Sequence, residues 1–223
     1  MKTFDIITEA DARLLERGAS VLLARGGHIT PLARDTLKER RITVTEEGRA
    51  AAGDLSLAPR ADVRSIAIGS GHSGIALRRA LVMFLRGRGL AVQEAGPDGS
   101  DQADNSIDYF DATVEVAHSV ARGEADAGII VDGTGIGPAI AANKIPGVRA
   151  SMATTETIAR QSREQAGANV LALGAALVSV DEAKAIVMAW LATPMRDPVH
   201  IHRLAKVHEL ERSKTGQGPR SKS

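Results

Sequence analysis

The residues with the clearest chemical potential are Asp132 and the three glycines that follow it at alternate positions, Gly133, Gly135 and Gly137. The apolar run Ile129-Ile130-Val131 leads into the acid, and Pro138 follows the last glycine. A strand should therefore end near the acid, and a helix should open after the loop. Alternating glycines let backbone amides turn toward a bound oxygen with no side chain in the way. The helix start behind them adds partial positive charge. Asp132 is then placed to take or give a proton beside an anion cradle. That pairing suits enolisation of a small polyol or sugar. The competing reading is a tight strand-to-helix turn carrying a solvated acid.

Other residues are weaker candidates. His72, in Ser70-Gly71-His72-Ser73-Gly74, can bind a substrate hydroxyl or phosphate, or be a surface loop histidine. Asp108 is either an N-cap or a substrate contact, and Tyr109, the single tyrosine, can reach a ligand hydroxyl. Asn143 and Lys144 end the short helix after the glycine loop. His200 and Arg203 lie three apart on one helix face, a spacing that suits a phosphate clamp. Neighbouring His202 and His208 raise the question of metal, but no carboxylate joins them at ligand spacing, so no metal is expected. The glycines form neither GxGxxG nor a P-loop, so no cofactor is expected either.

Composition narrows the classes. Basic and acidic residues nearly cancel, 28 against 27, which gives no electrostatic footprint for nucleic acid. Cysteine is absent, which removes disulfides and thiolate chemistry. The start Met1-Lys2-Thr3-Phe4-Asp5 lacks a signal-peptide pattern, and no apolar run is long enough for a membrane span. A cytoplasmic protein acting on a small molecule is expected.

The elements that must position these residues follow an alternating pattern from Arg64 onward. Strands are expected at Ser65–Gly69, Ala91–Ala95, Ala127–Val131, Val148–Met152 and Asn169–Leu173. Helices are expected at Gly74–Arg88, Tyr109–Arg122, after Gly137, and at Thr155–Glu164, Val180–Leu191 and Val199–Arg212. Residues 97–107 read as a loop. This alternation implies an α/β fold with a five-stranded parallel sheet covered on both faces. Its ligands should sit at the carboxyl ends of the strands. Before it lies a small N-terminal extension of helical character. One helix opens at the capping box Thr8-Glu9-Ala10-Asp11, and another opens at Thr30-Pro31, with a short strand candidate at Val21–Ala24 between them. Residues from Thr45 to Arg60 read as a linker. The organisation expected is 1–60 extension and linker, 61–212 main domain, and 213–223 a disordered basic tail.

Taken together, Gly133-Thr134-Gly135-Ile136-Gly137, Ala141-Ala142-Asn143-Lys144-Ile145-Pro146-Gly147-Val148-Arg149-Ala150, Asn169-Val170-Leu171-Ala172-Leu173-Gly174 and Ala189-Trp190-Leu191 resemble the type B ribose-5-phosphate isomerase and galactose-6-phosphate isomerase family. The resemblance covers about Arg64 to Arg212. It implies a Rossmann-like three-layer α/β/α domain, a homodimer or tetramer, and metal-free aldose–ketose isomerisation of a sugar phosphate through an enediolate. Asp132 stands where the family commonly has a cysteine base. Thr134 would add a hydroxyl donor. Gly133, Gly135, Ile136 and Gly137 would cradle the enediolate. His72, Asp108, Tyr109, Asn143, Lys144, Arg149, His200 and Arg203 would bind substrate.

The chain also departs from that pattern. Gly71-His72 stands in place of Asp-His, and Gln165-Ala166 in place of the His-Asn that assists ring opening. Ala175-Ala176 and Val199 stand where arginines are usual. An open-chain or short substrate of four to five carbons is therefore expected. The alternatives are a catalytically eroded partner subunit or sugar-phosphate sensor, and epimerisation of a non-phosphorylated acid sugar. In the extension, His28-Ile29-Thr30-Pro31-Leu32-Ala33-Arg34-Asp35 resembles a leading segment of some ethanolamine-utilisation and microcompartment-linked proteins, and reads equally as a docking or oligomerisation element or as an ornamental helix packed on the core.

Overall fold

The structure is a computed structural model and describes residues 3–46, 57–96 and 108–215. The chain opens with β1 (Thr3–Ile7), α1 (Glu9–Leu14), β2 (Ser20–Ile29), α2 (Pro31–Glu39) and β3 (Thr43–Glu46). The Thr8 capping box starts α1, and the Thr30 side chain caps α2 ahead of Pro31, both as the sequence implies. The expectation of a helical extension needs correction, because three parallel strands in the order β1-β2-β3 form a sheet of their own. Ile7, Ala12, Val21, Leu23, Ala33, Leu37 and Ile42 form its core. The signal for β1 and β3 was weak for a physical reason. Asp5 interrupts the apolar residues of β1, and β3 is only Thr-Val-Thr-Glu.

Of the expected linker, residues 47–56 lie outside the described residues, whereas 57–60 are held firmly. The Leu57 carbonyl accepts from Arg149 Nη2 and the Arg60 carbonyl from Arg163 Nη2. Leu57 and Ala58 pack on Met195, Ile201 and Leu204.

The second sheet follows the expected pattern. It contains β4 (Ser65–Ser70), β5 (Ala91–Ala95), β6 (Ala127–Asp132), β7 (Ala150–Met152) and β8 (Val170–Gly174), all parallel, in the order β5-β4-β6-β8-β7. Helices α3 (Ile75–Arg86), α4 (Tyr109–Ala121), α5 (Ile136–Ala142), α6 (Glu156–Ala166), α7 (Val180–Leu191) and α8 (Pro198–Thr215) accompany it. Strand β6 is buried along its whole length, as a central parallel strand covered on both faces must be. Its side chains alternate between two cores. Ile129 and Val131 join Leu81, Leu85, Ile186 and Trp190 beneath α3 and α7. Ile130 joins Val116, Ala117 and Ala142 beneath α4 and α5. The α8 helix continues to Thr215, into the stretch expected as a tail, and 216–223 lie outside the described residues, as does the loop expected at 97–107. Among the described residues no helix is long and apolar enough to cross a membrane.

Candidate active site

Strands β4 and β6 are neighbours, while β5 pairs with the other side of β4. The strand order thus reverses between β4 and β6, and the crevice at their carboxyl ends is where an open α/β sheet binds ligands. Gly71 directly follows β4 and Asp132 ends β6, and the Gly71 amide donates to the Val131 carbonyl at 3.2 Å. After β4 the chain makes one 3-10 turn, His72–Gly74, before α3 begins. His72 is exposed on that turn. Gly74 lies so close to β6 that an added Cβ would stand 2.3 Å from the Val131 carbonyl oxygen.

Asp132 is buried, with 8% of its surface exposed. Its Oδ1 accepts from the Thr134 amide at 2.8 Å and also from the Gly135 amide. Its Oδ2 accepts no hydrogen bond from the described residues. One oxygen therefore fixes the carboxylate to its own loop and leaves the other with free lone pairs. Gly135 adopts φ +78° to turn its amide back onto Asp132, a conformation that side chains rarely adopt. A Cβ there would also crowd the Leu173 backbone at 3.1 Å. The cradle is narrower than the glycine spacing suggests, because Asp132 takes the Thr134 and Gly135 amides. The Ile136 amide donates to Thr134 Oγ1 at 3.3 Å. The amides of Gly133 and Gly137 find no acceptor among the described residues.

Tyr109 arrives from the first turn of α4, where Asp108 caps the helix by accepting from the Phe110 amide at 3.1 Å. Asp108 thus has a structural duty beside the site. Gly71 and Gly137 both make room for Tyr109. A Cβ on Gly71 would lie 2.9 Å from the tyrosine Cβ, and one on Gly137 would lie 2.5 Å from its hydroxyl. The phenol therefore rests on the helix-opening end of the glycine loop. Ser73, which the sequence reading passed over, reaches the other end, its Oγ 3.6 Å from where a Gly133 Cβ would stand. A hydroxyl next to His72 in a glycine-flanked turn was the available signal.

Within one chain the structure gathers Asp132, Gly133, Thr134, Gly135, Ile136, Gly137 and Tyr109, with the His72 turn beside them. It does not bring the remaining candidates to the loop. Asn143 ties the end of α5 to β7, donating from Nδ2 to the Ala139 and Ala150 carbonyls and accepting from the Ala150 amide, each at 2.8 Å. Lys144 is exposed next to it. Arg149 precedes β7 and so lies at the amino edge of the sheet. There it donates to the carbonyls of Gly167, Gly147 and Leu57. Burial lowers its pKa, against the pull of Glu211. His200 and Arg203 belong to α8, which packs on α6, and Leu204 of α8 abuts Gly167 at the same amino edge. Among the described residues no three His, Cys, Asp or Glu side chains could jointly hold a metal ion.

Residues 66–207 match the family model described as Ribose/Galactose Isomerase. The chain is 37% identical over 149 residues to ribose-5-phosphate isomerase B of Escherichia coli, covering 67% of this chain and 97% of the relative. It is also 37% identical over 127 residues to D-erythrulose-4-phosphate isomerase of Pectobacterium atrosepticum, covering 57% of this chain and 82% of the relative. The solved structure of ribose-5-phosphate isomerase B from Clostridium thermocellum superimposes with a TM-score of 0.63 at 42% identity, over 67% of this chain and 99% of that one.

Proposed function

Because the chain belongs to the ribose/galactose isomerase family, we propose that it interconverts the aldose and ketose forms of an open-chain sugar phosphate of four to five carbons, with Asp132 as the base. The observation that carries this reading is the Asp132 carboxylate, held by two loop amides on Oδ1 with Oδ2 left without a partner among the described residues. Oδ2 removes the proton from the carbon next to the carbonyl. The C–H electron pair becomes the new C=C bond, and the carbonyl π pair moves onto oxygen. The enediolate oxygens meet the amides of Gly133 and Gly137 and the Thr134 hydroxyl, at the start of α5. The hydroxyl proton of the deprotonated carbon passes to the former carbonyl oxygen, and Asp132 returns its proton to the neighbouring carbon as C=O re-forms at the first, which completes the isomerisation without an oxidant.

The short, open-chain substrate is supported by Gln165 and Ala166, which offer no imidazole for ring opening. It is also supported by the likeness to a relative named for a four-carbon ketose phosphate. The phosphate would need cations, and among the described residues the candidates Lys144, Arg149, His200 and Arg203 are not brought to the loop of their own chain. A second copy presenting His200 and Arg203 from α8 would supply them, and the exposed Phe110, Ile136 and Ile140 beside the loop suit such a contact. The test is turnover with a panel of four-, five- and six-carbon aldose and ketose phosphates and their unphosphorylated forms. Conversion of a four- or five-carbon phosphate is expected. Inactivity on the whole panel, with capture of an unlike related subunit, would replace this reading with that of a partner subunit.

A further inference from the structure

We propose that Ser73 is a substrate-binding residue at the reacting end of the glycine loop, donating its hydroxyl to the carbonyl oxygen that becomes the enediolate. This deepens the isomerase reading and rests on it. Two hydroxyls bracket the loop: Ser73 Oγ at Gly133 and the Tyr109 phenol at Gly137. Neither has a hydrogen-bond partner among the described residues, so both are available to a ligand. Gly133 directly follows Asp132, which puts Ser73 beside the base and Tyr109 four residues further along the loop.

The surroundings favour a hydroxyl on that turn. Gly71 is closed to any side chain by Tyr109, and Gly74 is closed by the Val131 carbonyl. Only His72 and Ser73 can present polar groups from the turn. A carboxylate at position 73 would set a second negative charge beside Asp132 and could only accept hydrogen bonds at neutral pH. Serine donates to an oxygen that gains negative charge and places no charge against the base. The exposed hydroxyl is anchored to a buried frame, since the turn hangs between Ser70 and Gly74, both buried. Two hydroxyls at opposite ends of one loop also divide the labour. Ser73 acts on the reacting oxygen and governs rate, whereas Tyr109 acts further along the substrate and governs affinity.

The test uses the full-length protein and the sugar phosphate that the panel shows to be converted, followed by proton NMR in D₂O. Ser73→Ala should slow deuterium incorporation on the order of 100-fold, as for loss of one oxyanion donor, with KM changed little. Ser73→Thr, which keeps the hydroxyl, should restore most of the rate. Tyr109→Phe should raise KM and leave kcat nearly intact. Exchange by Ser73→Ala within twofold of the unsubstituted protein, while Asp132→Asn is inactive, would overturn the role of Ser73 and leave the isomerase reading standing. Full exchange by Asp132→Asn, or none by the unsubstituted protein with any sugar, would overturn that reading and the role of Ser73 with it.

Discussion

Strand β6 begins just after one aspartate and ends on another, and the two are used in opposite ways. Asp126, at the amino edge, is saturated. It accepts from the Arg64 and Ser65 amides at 2.9 and 3.0 Å and from Arg60 Nη1 at 2.6 Å. Around it, Arg149 and Arg163 donate to backbone carbonyls, and Arg163 stacks on Trp190 at 4.5 Å from the ring centroid. Asp132, at the carboxyl edge, is held through one oxygen only, and the Ser73 and Tyr109 hydroxyls near it have no partner among the described residues. Similar residue types thus join the chain to itself at one edge and leave groups open to a ligand at the other. The presence of a buried acid or a buried arginine is therefore a poor guide to function. What matters is how many of its donors and acceptors the fold has already satisfied.

Substitutions can sharpen or break this contrast, and the amino edge should respond mainly in stability. Arg163→Met leaves the Ala168 and Arg60 carbonyls without their donor and removes the stacking on Trp190. A loss of about 3 kcal/mol in unfolding free energy is expected from denaturant titration. Turnover per folded molecule should stay unchanged. Equal losses in stability and turnover would blur the division between the edges.

Gly137→Ala should act in the opposite sense. Its methyl group would displace the Tyr109 hydroxyl, now 2.5 Å from that position. KM should rise about threefold to tenfold, the worth of roughly one hydrogen bond, with only a small change in melting temperature.

A further effect concerns acid. Burial raises the Asp126 pKa, but the Arg64 and Ser65 amides, the Arg60 guanidinium and the Ser65 hydroxyl outweigh it and hold the value at about 2. A carboxylate depressed in the folded state contributes stability that is complete above its unfolded pKa of about 4. That contribution is lost as pH falls through the folded value. Native stability should therefore decline between about pH 4 and pH 2, and Asp126→Asn should flatten that part of the curve. An unchanged acid limb would show that other carboxylates dominate it.

Much of the main domain was legible because parallel strands buried on both faces read as short apolar runs between helical patterns. Ala91–Ala95 and Val180–Leu191 fall where the sequence puts them. The N-terminal strands were harder to see. Gly26 and Gly27 interrupt β2, and its pairing with β1 shifts register between Phe4 and Ile6, so no clean alternation of period two survives. At the site, Asp132 and its glycines stood out from local spacing alone. Ser73 did not, because its relevance comes from the approach of the β4 turn to Gly133, a contact between residues sixty positions apart. Arg149 looked like a ligand cation on the strength of its neighbours in sequence. Its place before β7, with donors taken by carbonyls, emerges only once the strand direction is known.

The most direct test of the contrast is deuterium incorporation from D₂O into the converted sugar phosphate, measured side by side for Asp132→Asn and Asp126→Asn. The account predicts that Asp132→Asn keeps its fold and loses exchange by about a thousandfold, in the range of a removed general base, while Asp126→Asn exchanges at the rate of the unsubstituted protein. Exchange that survives in Asp132→Asn would contradict the account, because the free oxygen at the end of β6 would then not be the base.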